Sequence, residues 1–228
     1  MFEDFTLADV DRDGAIQETA AIAAGDTRMD FLRKGALGAG ALMSGGAVLS
    51  ALAPAAMASS GAPPKALGKG DIGILNYALT LEYLEAAFYN EATANLTSKL
   101  DARTGSFLKI VTADENAHVK ALKRALGNKA VKKPKFDFKG TTADVDKFKA
   151  TASVLENTGV HAYLGQVGNV KNPKILAAAA AIVTIEARHA AEINSILGKS
   201  ITPDGPFDTA FSAAKVLKAV KATGFIIG

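Results

Sequence analysis

Glu115-Asn116-Ala117-His118 and Glu186-Ala187-Arg188-His189 are two copies of Glu-x-x-His in one chain of 228 residues. Each follows a segment of helical pattern carrying a Glu with a Tyr seven residues later, Glu82 with Tyr89 and Glu156 with Tyr163. The order along the chain is therefore Glu, Glu-x-x-His, Glu, Glu-x-x-His. Residues three apart on a helix lie about 60° from one another and one turn along, so the Glu and His of each motif face the same way. A step of seven returns to within about 20° of the starting direction, which puts each Tyr two turns from its Glu on one face.

Four carboxylates facing into a helical core repel one another, and burying them is tolerable only with compensating cations. Two divalent metals, bridged by two carboxylates and each capped by a His, meet that requirement. The spacing predicts Glu115 and Glu186 as bridging ligands, Glu82 and Glu156 as terminal ones, and His118 and His189 as nitrogen ligands. Carboxylate with imidazole suits two iron or two manganese ions, whereas zinc prefers fewer ligands in a tetrahedron. The bland alternative is a solvated helix face. With seven Glu from residue 59 onward, a given His has about a 4% chance of a Glu three places before it, and two of three His about half a percent. The flank of Glu186 is also wrong for a solvated face, because residues 177–185 are small and apolar apart from Thr184.

The two halves look duplicated. Glu82 to Glu156 and Tyr89 to Tyr163 are both 74 apart, while Glu115 to Glu186 and His118 to His189 are both 71 apart. A repeated helical pair leaves this signature and brings equivalent ligands together about a pseudo-twofold axis. Around this set stand weaker candidates. Glu85 is an acceptor behind the ligands or a fifth carboxylate, with a surface role or an ordinary core hydrogen bond as the alternative, and Asp114 can hydrogen-bond a ligand His, with a surface role as its alternative. His161, five after Glu156, sits roughly 140° around the helix and reads as a non-ligand, its only site role being second-shell. Tyr89 and Tyr163 are donors to ligand carboxylates or redox-active phenols, with simple core packing as the alternative. Gly159 and Gly165 allow close helix approach or substrate access.

Composition narrows the rest. Hydrophobic residues make up 49%, aromatics only 7%, and Trp is absent, which favours closely packed helices. There is no Cys, so disulfides and thiolate sites are excluded and any metal takes oxygen and nitrogen ligands. Residues 59–228 hold 22 Lys/Arg and 15 Asp/Glu, but this basic excess has no aromatic or groove-reading residues interleaved. A solvated face is expected there, not a nucleic-acid surface.

Residues 1–58 read as an export leader. Thr27-Arg28-Met29-Asp30-Phe31-Leu32-Arg33-Lys34 precedes a mild apolar run, and Ala56-Met57-Ala58 offers a small-x-small cleavage site. The first of these resembles a twin-arginine signal with Met29 in place of the second Arg. The expectation is a periplasmic or extracellular protein, touching membrane only if the leader is kept. A retained anchor and a cytoplasmic tail are the alternatives. Asp9-x-Asp11-x-Asp13-Gly14 starts like a calcium loop but has Ala20 at the twelfth position, and reads as a polar turn.

Beyond a linker at residues 59–70, the domain spans residues 71–228. Asp71 is expected to cap a first helix to about Leu96, and Asp101 a second to about Leu126, ended by Gly127. A Lys-rich crossover with Phe136 and Phe138 follows. Thr142, Asp144 and Asp146 open a third helix to about Val167. The fourth runs to a Gly198 cap, and residues 209–222 form a short fifth. The resulting order is two antiparallel hairpins joined by one long crossover.

The stretch ILNYALTLEYLEAAFY (residues 74–89), with Asp114-Glu115-Asn-Ala-His118, Glu156-Asn-Thr-Gly-Val-His-Ala-Tyr163 and Ile185-Glu186-Ala-Arg-His189, resembles a ferritin-like family that includes plant desiccation-related and fungal stress proteins. The likeness covers roughly residues 70–228 and implies an all-α, ferritin-like antiparallel four-helix bundle with a short C-terminal helix. In ferritins and bacterioferritins the first-helix Glu ligand also has a Tyr seven residues on, which favours Glu82 over Glu85. The fold hosts several chemistries. The leading expectation is an exported di-metal redox or oxidative-stress protein acting on O2 or peroxide, whether ferroxidase, oxidase or manganese-catalase-like, and able to form a homo-oligomer. Iron oxidation and storage in a cage, or a non-enzymatic stress protein with structural metal, are the alternatives.

Overall fold

A computed structural model describes residues 61–227. The leader, the calcium-like Asp motif and the first residues of the linker lie outside these. Among the described residues the helices are α1 (Gly70–Leu96), α2 (Ala102–Leu126), α3 (Val145–Leu164), α4 (Pro173–Ile196) and α5 (Ala213–Thr223). Short connections join α1 to α2 and α3 to α4, so each pair packs as a hairpin. The bundle is all-helical, ferritin-like in layout, with an isolated antiparallel bridge between Phe136 and Ile226. No helix among the described residues is long and apolar enough to cross a membrane.

α1 is the central helix. It buries residues all around its circumference, from Leu75 and Leu79 to Leu81, Phe88 and Tyr89, so it has no single apolar stripe. Glu82 and Glu85 are buried in the middle of it. Phe88 anchors the core at one end, stacked on Phe148 of α3 at 5.6 Å and edge-on to Phe138 of the crossover at 5.4 Å.

The helix ends follow local chemistry. The Asp101 carboxylate accepts from the amides of Arg103 and Thr104, both at 3.0 Å, capping α2. Asp144 caps α3 through the Lys147 amide, and Asn172 caps α4 through the Lys174 amide, with Pro173 in the first helical position. Past α4, Gly198 takes a φ of 66°. Its amide reaches the Ser195 carbonyl and the next amide, Lys199, reaches Asn194, the paired bonds of a Schellman end.

Several boundaries differ from the sequence expectation. Asp71 does not cap α1. Lys69 precedes the helix, and the Asp71 carboxylate accepts instead from the amides of Lys171 and Asn172, tying the start of α1 to the loop before α4. Thr142 does not open α3, because its hydroxyl is drawn to Glu91 at 2.5 Å and the helix begins after Asp144. α3 also stops at Leu164, short of Val167, where the chain tightens into a 3-10 turn at Val167–Asn169. α5 starts at Ala213, later than residue 209, where Ser212 supplies the cap.

The crossover is fastened at both ends. Asn76 on α1 donates to the carbonyls of Leu67 and Lys129 and accepts from the amide of Val131. The C-terminal residues pair with it through Asp137 N to Phe225 O and Ile227 N to Lys135 O.

Candidate metal centre

Glu82 and Glu85 come from α1, Glu115 and His118 from α2, Glu156 from α3, and Glu186 and His189 from α4. All are buried, and Glu82, Glu115, Glu156 and Glu186 have no measurable exposure. Six of them form two overlapping groups whose candidate ligand atoms lie within 4.8 Å of one another. One group is Glu82, Glu115, His118 and Glu186, and the other is Glu115, Glu156, Glu186 and His189. Glu115 and Glu186 belong to both.

The nitrogen atoms face the carboxylates directly. His118 Nδ1 lies 3.1 Å from Glu186 Oε1, 3.3 Å from Glu82 Oε2 and 3.4 Å from Glu115 Oε2. His189 Nδ1 lies 3.2 Å from Glu115 Oε1 and 3.3 Å from Glu156 Oε2. These His189 contacts are close approaches without hydrogen-bond alignment, and its Nδ1 has no hydrogen-bond partner. The opposite ring nitrogen, Nε2, is held by Asp114 Oδ2 at 3.1 Å. A carboxylate behind the imidazole fixes the ring and keeps Nδ1 for a cation.

The two tyrosines act across the pseudo-twofold axis. Tyr89 of α1 donates to Glu156 Oε1 of α3, and Tyr163 of α3 donates to Glu82 Oε1 of α1 at 2.5 Å. Each bond occupies one oxygen of a carboxylate and leaves Oε2 without a hydrogen-bond partner. The same is true of Glu115 Oε1 and both oxygens of Glu186. Buried carboxylate oxygens are rarely left so, since each forfeits its hydration. Of these unpartnered atoms, Glu82 Oε2 and Glu186 Oε1 approach His118 Nδ1, and Glu115 Oε1 and Glu156 Oε2 approach His189 Nδ1.

Electrostatics points the same way. Burial, then the neighbouring Glu115 charge, push Glu82 up to about 8 in the metal-free chain. Glu85, Glu156 and Glu186 are raised as well, burial first and neighbouring carboxylates adding to it. Burial would also raise Glu115, but the His118 and His189 imidazoles outweigh it and hold Glu115 down at about 2. Burial alone would lower the imidazoles. The carboxylates around them win, holding His189 at about 11 and His118 far above its ordinary range. The chain by itself thus cannot ionise all its buried carboxylates, whereas divalent cations bound by oxygen and nitrogen would let it do so. The residues present fit such cations.

Two residues beside the candidate ligands have no counterpart in the other half. An offset of 74 carries Glu85 onto Gly159, and an offset of 71 carries Asp114 onto Ile185. Only one His has a carboxylate behind it from this position. A Cβ on Gly159 would stand 3.0 Å from Glu186 Oε2 and 3.5 Å from Glu85 Oε1. The missing side chain on α3 is therefore the space that Glu85 and Glu186 occupy, and Glu85 is a fifth carboxylate of the cluster. Alanine at 159 should displace Glu186 and weaken Mn(II) binding about 10–100-fold by calorimetric titration, the range seen when ligand-supporting groups are changed. An unchanged affinity would mean that the Glu186 position seen here is not the one that binds metal.

His161 makes its contacts away from the cluster. Its Nε2 lies 3.1 Å from Asp204 Oδ2 and its ring packs on Phe211 at 4.2 Å, which ties α3 to the loop before α5. Sequence reasoning also passed over Tyr77 and Gln166, both buried beside the cluster's helices. Neither belongs to a recurring spacing that would have drawn notice.

A family model described as a ferritin-like domain matches residues 70–199, which takes in every residue of the two groups. No curated protein matches the chain.

Proposed function

The chain belongs to the ferritin-like domain family, and from that premise we propose that its Glu/His cluster holds two iron or manganese ions and carries redox chemistry with O2 or peroxide. The observation behind the proposal is the pair of four-residue groups sharing Glu115 and Glu186. Two ions side by side can be held by shared carboxylates, Glu115 and Glu186 are placed to be shared, and the remaining residues divide evenly, Glu82 with His118 and Glu156 with His189. Bound iron or manganese would supply the electron transfer.

The chain's own contribution is orientation and charge. Tyr89 and Tyr163 hold the terminal carboxylates by one oxygen and present the other. Burial and the Glu156 and Glu82 charges keep both phenols well above their ordinary range, so they remain donors at any working pH. Asp114 orients His189. Glu85, next to Glu186, adds a carboxylate on the side opened by Gly159.

The deciding experiment loads the full chain anaerobically with Fe(II) or Mn(II), counts metal per chain, and follows absorption after adding O2 or peroxide. Two ions per chain and a spectrum that responds to oxidant are expected. Two ions that stay inert, with a large loss of thermal stability on chelation, would replace the redox reading by a structural one. One ion or none would remove the dinuclear reading, and a shell-sized particle would favour iron storage.

We place the protein outside the cytoplasm on the strength of the charged, apolar and small-x-small order in residues 28–58. Recovery of the chain beginning at about Ser59 from the periplasm or medium is the corresponding check.

A further inference from the structure

Donor type does not rank the two groups, since each offers three carboxylates and one imidazole. What stands behind the donors does differ. His189 is held at its far nitrogen, Nε2, by Asp114 Oδ2 at 3.1 Å, and its Nδ1 faces Glu115 and Glu156 without a hydrogen-bond partner. His118 has no such support. Its polar contacts among the described residues are all made by Nδ1, and that nitrogen is already engaged with Glu115 Oε2 at 3.4 Å. At the 71-residue offset the counterpart of Asp114 is Ile185, whose side chain accepts nothing. The His118 side chain is also the more exposed of the two, 11% against 6%.

The phenols repeat the difference. Tyr89, which holds Glu156, is fully buried and packs edge-on to Phe88, Phe107 and Phe148, with ring centroids 5.2–6.1 Å away. Tyr163, which holds Glu82, is half-buried and makes no ring contact among the described residues. A donor already fixed by packing or by a hydrogen bond behind it gives up less freedom on taking a cation. Glu85 does not decide between the sides, because it borders Glu186, which both groups share.

We infer that the centre fills in a fixed order. The side of Glu156 and His189 takes the first divalent cation, the side of Glu82 and His118 takes a second and more exchangeable one, and Asp114 is the positioning residue that sets the order. This order rests on the proposed dinuclear centre, though not on its redox chemistry. At limiting metal the chain then carries its one ion on the His189 side, not an even mixture over both.

Repulsion between two cations weakens a second ion even in a symmetric centre, so the sides are compared one at a time. Mn(II) is titrated calorimetrically into the full chain carrying Glu82→Ala, which leaves the His189 side, and carrying Glu156→Ala, which leaves the His118 side. One ion per chain is expected in each, bound at least about tenfold tighter in Glu82→Ala, the effect of one such supporting group. Adding Asp114→Ala should weaken the Glu82→Ala chain about 10–100-fold and change the Glu156→Ala chain by less than about twofold. Asp114 is half-exposed within α2, where alanine suits the helix, and circular dichroism checks that helicity is kept. Equal affinities on the two sides, the reverse order, or an Asp114→Ala loss shared by both sides would overturn the inference. If a one-sided chain binds nothing, Asp114→Ala in the otherwise wild-type chain decides. It should narrow the gap between first and second ions, and an unchanged gap would overturn the order. Two ions on wild type with equal sides would fail this inference alone, whereas fewer than two would fail the dinuclear reading and the order with it.

Discussion

Replacing Glu115 and Glu186 together by alanine is expected to take bound metal from two ions per chain to none. Each ion would lose two of the four protein residues grouped around it, because both glutamates belong to both groups. In the proposed dinuclear centre Glu82→Ala or Glu156→Ala would remove one ligand from one ion and leave the other in place, so a stoichiometry near one per chain is expected. That ordering, two then one then none, is what the sharing predicts, and the single variants Glu115→Ala and Glu186→Ala, each expected to weaken both ions, separate it from an unshared arrangement. Three equal losses would mean that the four carboxylates are interchangeable and that Glu115 and Glu186 bridge nothing. Glu186→Gln separates ligation from folding. A neutral amide keeps the shape and removes a carboxylate whose burial and neighbours oppose ionisation. Above neutral pH the metal-free Gln variant should melt no lower than metal-free wild type, while its metal-dependent rise in Tm is largely lost. A variant that melts far lower without metal would show Glu186 to be part of the packing instead.

The six ligand candidates were legible because helix geometry turns spacing into direction. Steps of three and seven put Glu82, Glu115, His118, Glu156, Glu186 and His189 on inward faces, and the paired offsets of 74 and 71 brought the halves together. The helices were readable for the same reason, through α1's apolar content and the caps at Asp101 and Asp144. What was not legible depends on tertiary partners. Asp71 sits where a cap belongs, yet two amides of the loop before α4 compete for it and win. Asn76 looks like any polar residue on an apolar helix, and its value lies in a crossover 53–55 residues away. His161 shares a helix with Glu156, but Asp204 and Phe211 claim it from outside the bundle. Glu85 is intermediate. Its match with Gly159 at the repeat offset was present in the letters, but its meaning required knowing that a Cβ there would crowd Glu186.

Metal-free chain should be most stable near pH 4–5 and lose stability as pH rises, the reverse of its metal-loaded form. Glu82 titrates at about 8 in the folded metal-free chain against an ordinary value of 4.5. Its folded pKa is the higher, so its contribution is complete below about pH 4.5 and is lost as pH rises towards 8. Glu85, Glu156 and Glu186 are shifted in the same direction. His189, held at about 11 against 6.5, adds a loss in the same sense between those values. Within the cluster Glu115 alone runs the other way, joined on the surface by Asp101, Asp137, Glu192 and Asp204, which hydrogen bonds also lower. The folded Glu115 pKa is depressed to about 2, so its contribution is present above 4.5 and disappears as pH falls to about 2. Those opposite slopes meet near pH 4.5. Metal reverses the alkaline limb because its ligands must be deprotonated, so affinity climbs with pH where the metal-free fold weakens. At a thousandfold excess over Kd each site adds about 4 kcal/mol by mass action, and two add about 8. For a domain of this size that is a rise in Tm of roughly 15–30 °C at pH 8. At pH 4.5 the rise should nearly vanish. Scanning calorimetry from pH 4 to 9, with and without Mn(II), reads both limbs. If the metal-free Tm instead climbed steadily from pH 5 to 8, the buried carboxylates would not be opposing the fold, and the electrostatic case for cations at this site would fall with it.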